Sequence, residues 1–357
     1  MKRSILFAAA GLALGGVAQA QSTVTLYGLV DLNVTHFKAG STAGGFTNTA
    51  LTDGTSTGMN GSRWGLRTIE DLGGGLRAGV TMEAGVNADT GNAAQGGRAF
   101  GRQIFVWLGS DSAGELRLGR QYALHDPQQG QSNPFSNGLW LNPGFGITDM
   151  GKALPQFIDA PRIDNVIQYS LPKLGGVAAS LQYAPGEGVN DNFYGAGVSY
   201  ASGPVFAGIT HEWNKDHLAG KWSNKVTQVV ANYDFGPVKI LGGLQRASDL
   251  TTNGGNVGAL SNLVVTGATT FTATKLNAYT IGASMPFGPW LVGANYIRTK
   301  YESATGQSQT LGRIALGTTY ALSKRSYIYG SIGTTNGDLK EYISQKNEFQ
   351  LGLRHAF

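Results

Sequence analysis

The chain has 357 residues, a formal net charge of +5, 54 glycines, 10% aromatic residues and no cysteine. Its length suits one large domain or two smaller ones, and a cysteine-free chain can use neither disulfides nor a thiolate metal site. The modest and dispersed positive charge excludes nucleic-acid binding, which needs a concentrated basic face.

In chain order, the basic start Met1-Lys2-Arg3 leads into an apolar stretch from Ile5 to Val17 and then Ala18-Gln19-Ala20. Charge, apolar run and A-x-A site together form a secretory signal peptide over residues 1–20, with one domain over residues 21–357. Beyond it no apolar run approaches the ~20 residues of a membrane helix.

From Ser22 onward the chain reads as alternating segments of roughly ten residues, the pattern of membrane strands. They fall at 23–34, 62–70, 74–86, 99–110, 114–122, 164–171, 175–184 and 192–201. The series continues at 204–213, 225–235, 237–247, 275–286, 289–301, 309–321, 325–334 and 347–357. Sixteen is even, as a barrel with both termini on one side requires, although soft boundaries leave fourteen or eighteen open. Long connections, including 35–61, 123–163 and 248–274, alternate with tight Gly/Pro turns such as Asp71-Leu72-Gly73-Gly74-Gly75 and Pro286-Phe287-Gly288-Pro289. This gives one rim of turns and one of loops; a secreted sandwich or β-helix needs no such asymmetry. The fold class expected is therefore all-β: a transmembrane antiparallel β-barrel of 16 strands. Aromatic residues near segment ends (Tyr27, Trp64, Trp107, Tyr183, Tyr200, Trp213, Tyr233, Trp290, Tyr296, Tyr320, Tyr327, Tyr329) suit interfacial girdles, with packing an equal alternative for any one.

The last segment is the clearest. Phe349, Leu351, Leu353 and Phe357 share one parity, and Gln350, Gly352, Arg354 and Ala356 the other. A strand with one apolar face that ends on an aromatic residue is a liability in water, but can close a barrel in lipid.

Several motifs in order carry a resemblance across the sequence after the signal peptide: Val24-Thr25-Leu26-Tyr27-Gly28, Ser62-Arg63-Trp64-Gly65-Leu66-Arg67, Gly114-Glu115-Leu116-Arg117-Leu118-Gly119-Arg120-Gln121 and Gly352-Leu353-Arg354-His355-Ala356-Phe357. The chain resembles the general outer-membrane porins of beta-proteobacteria. That resemblance implies a homotrimer of 16-stranded barrels in the Gram-negative outer membrane, touching lipid and lipopolysaccharide, with a third loop folded inward as a constriction. It also implies that Phe357 is the signal read by the outer-membrane assembly machinery.

Residues 123–163 suit the constriction loop: they form the longest connection and hold five of the eleven prolines, with Phe135, Trp140, Phe145 and Phe157 to pack an ordered loop. By resemblance, Arg63, Arg102 and Arg162 are pore-lining arginines. Arg67 shares parity with Arg63 and extends the basic wall, while Arg77 and Arg117 are further lumenal candidates. Periodicity leaves open whether Arg102 or Gln103 faces inward, because both parities of that segment are apolar. An acidic partner is expected across the slot. Asp126, Asp149, Asp159 and Glu83 compete for that place, with Glu83 preferred and Asp149 next. Any of these charges could instead be a solvated lumenal residue without a special role.

Catalytic and metal motifs are weak. His211-Glu212 is followed by His217, so the histidines are spaced i, i+6 and not i, i+4; both read as loop residues. No Gly-x-Ser-x-Gly elbow occurs, and Gly73-Gly74-Gly75 precedes a strand, which makes it a turn and not a phosphate loop. Asn190-Asp191-Asn192 could hold a divalent ion weakly. The expectation is a non-enzymatic channel without a cofactor, passing small anionic or polar solutes. The rival readings are an adhesin or surface receptor and, further off, a barrel enzyme.

Overall fold

A computed structural model describes residues 22–54, 57–136, 138–139, 147–149, 152–154, 157–158, 162–251, 264–265 and 271–357. The signal-peptide expectation lies outside these residues. Sixteen antiparallel strands form the wall. They are β1 (Thr23–Lys38), β2 (Arg63–Gly73), β3 (Leu76–Asn87), β4 (Gln103–Ser110), β5 (Gly114–Tyr122), β6 (Arg162–Ser170), β7 (Val177–Ala184) and β8 (Asn192–Ser202). The second half comprises β9 (Val205–Lys215), β10 (Trp222–Asp234), β11 (Lys239–Ser248), β12 (Phe271–Phe287), β13 (Trp290–Ser303), β14 (Ser308–Ala321), β15 (Ser326–Asn336) and β16 (Asn347–Ala356). Each strand matches one alternating segment of the sequence.

The sheet closes where β1 pairs with β16, from Leu29 opposite Ala356 to Lys38 opposite Asn347. Closure leaves no open edge in the apolar zone, where unpaired backbone groups would cost several kcal/mol each. On its other edge β1 pairs with β2 through Thr23–Leu29, then with a short strand, Thr47–Asp53, through Leu32–Lys38. Phe357 completes the seam: its N–H donates to the Gly28 carbonyl at 2.9 Å and its own carbonyl accepts from Gly28 N–H at 3.2 Å. Gly28 is required there, because a Cβ at that position would sit 2.4 Å from the Phe357 ring.

Period-2 alternation decides which side chains face out. On β11, Leu244 is 62% exposed whereas its neighbour Gln245 is 3% exposed. Exposed apolar residues thus cover the outside and buried polar ones the inside, the inverse of a water-soluble core and the pattern of a barrel in lipid. Trp64, Tyr183, Tyr200, Tyr233 and Trp290 lie on the outward face as a girdle requires. Four of the expected girdle residues do not. Tyr27 bonds Glu83, Trp107 packs over Gly79, Tyr329 is buried against Asp31, and Tyr327 lies under the Arg354 guanidinium. Their positions share the parity of lumenal neighbours, and alternation outranks aromatic preference.

Candidate functional site: the lumenal arginine wall

The inner face of β2 to β6 gathers the basic residues. Arg63 begins β2 and, with Tyr27, Glu83, Gln103, Tyr122 and Arg354, lines a recess of about 490 Å³. Arg102 stands in the connection immediately before β4. Its Nε donates to Glu83 Oε1 at 2.7 Å and its Nη2 to the Tyr122 hydroxyl at 2.6 Å. Arg162 opens β6, donates Nη2 to the same hydroxyl at 3.0 Å and lies 4.7 Å from the Tyr122 ring centroid. Tyr122 therefore holds two guanidiniums at once, one of them by a face contact that favours a cation. Arg67, further along β2, lies 5.5 Å from the Tyr27 ring.

On β4 the alternation places Gln103 inward and Ile104 outward. Arg102 precedes that strand and is nonetheless buried against the same lumenal cluster, 5% exposed. Glu83 does not lie across the slot. Antiparallel register sets it opposite Gly65 on β2 and Gln103 on β4, among the arginines, where it also accepts from the Tyr27 hydroxyl at 3.1 Å. Its charge offsets that of Arg102, and Arg63 and Arg162 add to the positive field of this wall. Asp149 pairs with Lys152 in the ribbon Ile147–Asp149/Lys152–Leu154, and its side chain lies outside the described residues, as does Asp159. Arg77 and Arg117 sit toward the turn rim and are paired locally, to Asp111 at 2.6 Å and Glu115 at 2.5 Å.

The described part of 123–163 runs through the lumen along the opposite wall, bonded to inward side chains of successive strands. Glu212 of β9 accepts from His125 N–H at 2.9 Å, and Gln228 of β10 donates to the His125 carbonyl at 3.2 Å. Asn232 of β10 donates to the Gln131 carbonyl at 2.9 Å. Gln245 of β11 clamps the Ile158 backbone from both sides, at 2.6 and 2.8 Å. Glycines clear the path: a Cβ at Gly208 would meet the Gln128 amide at 2.5 Å, and one at Gly293 would meet Pro134 at 2.6 Å. At its tip, Leu139 N–H donates to the Gly58 carbonyl at 2.7 Å. Gly58 belongs to a second inward segment, fastened to the wall by Asp31, which accepts from Met59 and Asn60 N–H at 3.2 and 2.7 Å, and by Gln350, which accepts from Gly58 N–H. The Tyr329 hydroxyl also donates to Asp31.

His211 and Glu212 are strand residues of β9, not loop residues, because alternation persists through Lys215. Glu212 points inward to His125, while His211 faces outward against Trp213. In the loops, Asp191 accepts from His217 N–H at 3.2 Å with Asp216 nearby. Sequence reasoning missed Tyr122, which only the register against Arg162 reveals. It also passed over Arg354 as a pore residue, although its place on the polar parity of the last strand signals a lumenal side chain.

Comparison with known proteins agrees with the barrel architecture. Residues 6–339 match the family model described as Gram-negative porin. An outer membrane porin protein of Bordetella pertussis is 31% identical, and outer membrane porin protein 32 of Delftia acidovorans 32% identical, each covering 100% of both chains. Among solved structures, the anion-selective porin from Comamonas acidovorans superposes with a TM-score of 0.74 at 28% identity, covering 94% of this chain and 100% of that one. With a closed 16-stranded barrel, a polar lumen and a family match over nearly its whole length, the chain belongs to the Gram-negative porin family.

Proposed function

We propose that the protein is an outer-membrane channel for passive diffusion of small hydrophilic solutes, preferring anions. The observation that carries this reading is the clustering of Arg63, Arg102 and Arg162 around Tyr122 on one lumenal wall, facing the inward segment that starts at Ala123. Fixed guanidinium charge in a narrow, poorly screened passage lowers the energy of an anion and raises that of a cation. Arginine keeps that charge at every relevant pH. The inward segment sets the size limit, and the second inward segment at Met59–Asn60 braces its tip.

Trimeric assembly, export through a signal peptide at residues 1–20 and recognition of Phe357 by the assembly machinery complete the proposal, with outer-membrane lipid and lipopolysaccharide as surroundings. The paired carboxylate makes Glu83 a modulator of the basic wall, and Asp149 stays a candidate for the acidic side. Liposome swelling with sugars of graded size tests the channel itself. Swelling that falls off with sugar size supports it, and liposomes that do not swell for any sugar contradict it.

A further inference from the structure

Toward the turn rim, below the arginine wall, the inner face carries a pocket of about 620 Å³. Register builds it from two rows. Gly79, Trp107, Arg117 and Gln168 stand side by side across β3 to β6, and Arg77, Gly109, Glu115 and Ser170 form the row nearer the turns. Glycine at two of these places shapes the pocket. The Trp107 indole leans over Gly79, where a Cβ would fall 2.8 Å from it. Gly109, the next inward residue of β4, has no side chain to cover the ring, so the indole borders the pocket together with Arg117, Ser170 and Ser180.

The charge in the pocket is only partly committed. Arg117 Nε donates to Glu115 at 2.5 Å, and its guanidinium lies 5.1 Å from the Phe105 ring centroid. Among the described residues the Arg117 Nη atoms meet no acceptor, and Lys173 at the pocket edge forms no ion pair within 4 Å. Arg77 is tied to Asp111 at 2.6 Å. Arg77, Arg117 and Lys173 against Asp111 and Glu115 leave the pocket net positive. The far edge is neutral and polar: the Ser170 and Ser180 hydroxyls lie 2.9 Å apart, and Gln168 donates to Ser170 at 3.0 Å. A second recess, of about 390 Å³, joins Tyr122 to Arg117 and Ser180, which border both spaces.

We propose that this pocket is a binding site for an aromatic monocarboxylate passing through the channel. The carboxylate takes the Nη atoms of Arg117 in charge-assisted, two-pronged bonds, and the ring stacks against the Trp107 indole. The volume falls in the range of small-molecule sites, which pair an apolar surface with a few placed polar groups. The inference deepens the anion-preferring reading and rests on it: an anion leaving Arg162 and Tyr122 reaches Arg117 through the second recess.

Fluorine NMR titration of the membrane-extracted protein in detergent tests it, with 4-fluorobenzoate, trifluoroacetate and 4-fluorobenzyl alcohol as probes, each against empty micelles. The benzoate is expected to bind about tenfold tighter than trifluoroacetate, which has the charge without the ring, and than the alcohol, which has the ring without the charge. Arg117→Gln should weaken benzoate binding about tenfold. Trp107→Leu should weaken it about three- to tenfold, and Trp107→Phe should restore most of the loss. Equal binding of benzoate and trifluoroacetate by the parent overturns the inference without recourse to any variant. So does alcohol binding as tight as that of benzoate, or benzoate binding that both Arg117→Gln and Trp107→Leu leave unchanged. Zero-current potentials on the same protein keep the two proposals apart. A chloride-selective channel with no preference for the ring refutes only the pocket, whereas a cation-selective parent refutes the reading beneath it.

Discussion

Arg102 and Glu83 form a buried ion pair at 2.7 Å in the wall of the lumen, and the same guanidinium reaches Tyr122. The pair sets how much of the arginine charge a permeating ion meets. Glu83→Gln keeps a hydrogen-bond acceptor for Arg102 while removing the negative charge, so it should raise chloride over potassium permeability. Arg102→Gln should lower it and also destabilise the wall, by about 3–5 kcal/mol, because a buried carboxylate loses its partner. Zero-current potentials for the two variants should move in opposite directions from the parent.

Asp31 holds the second inward segment through Met59 and Asn60, and that segment holds the tip of the lumenal loop through Gly58 and Leu139. Hydrogen bonds to a charged group contribute about 1.5–3 kcal/mol each. Asp31→Ala should therefore loosen both segments while the strands stay paired. Single-channel traces of this variant are expected to show frequent partial closures, and traces as quiet as the parent's would show that the loop needs no such brace.

The loop-rim latch is pH-dependent. Glu341 accepts from Ser41 N–H at 2.9 Å and Ser41 hydroxyl at 3.0 Å, and pairs with Lys346 at 2.5 Å. The Lys346 bond, followed by those from Ser41, lowers its carboxyl from an ordinary value near 4.5 to about 2. A depressed carboxylate contributes stability above its unfolded value and loses it as pH falls from about 4.5 through about 2. Because the chain has no cysteine, Thr42→Cys can carry a single spin label. Its motion should be most restricted at pH 6, looser near pH 2 where the carboxyl is about half protonated, and loose at both in Glu341→Gln. The backbone bond from Thr42 N–H to the Glu341 carbonyl is kept throughout.

Phe357 pairs with Gly28 at the seam and touches none of the arginine wall by hydrogen bond. Deleting it should cut the yield of assembled, heat-resistant barrels several-fold and leave the selectivity of the survivors unchanged. Altered selectivity with normal yield would reverse that division of labour.

Much of the fold was legible because a strand that meets lipid on one face and water on the other must alternate. Leu351 and Leu353 against Gln350 and Arg354 state this without ambiguity. The same rule, applied strictly, would have moved Tyr329 inward, whereas Trp107 stands on a segment whose two parities are both apolar and needed the strand register to place it. The arginines were visible as residues but not as a cluster: Glu83 falls beside Arg102 through strand register, which local sequence does not specify. Least legible were the contacts of the inward loop. Gln228, Gln245 and Glu212 read as ordinary polar positions on their strands until the chain from Ala123 lies across them.

The most direct test of the central claim is the zero-current potential across a planar bilayer in a KCl gradient, measured for the parent and for Arg63→Gln/Arg162→Gln. The parent should show the sign of chloride preference. The double variant, folded by heat-modifiable mobility, should move toward zero or past it. A cation-selective parent, or a double variant with undiminished chloride preference, would contradict the arginine wall as the source of selectivity.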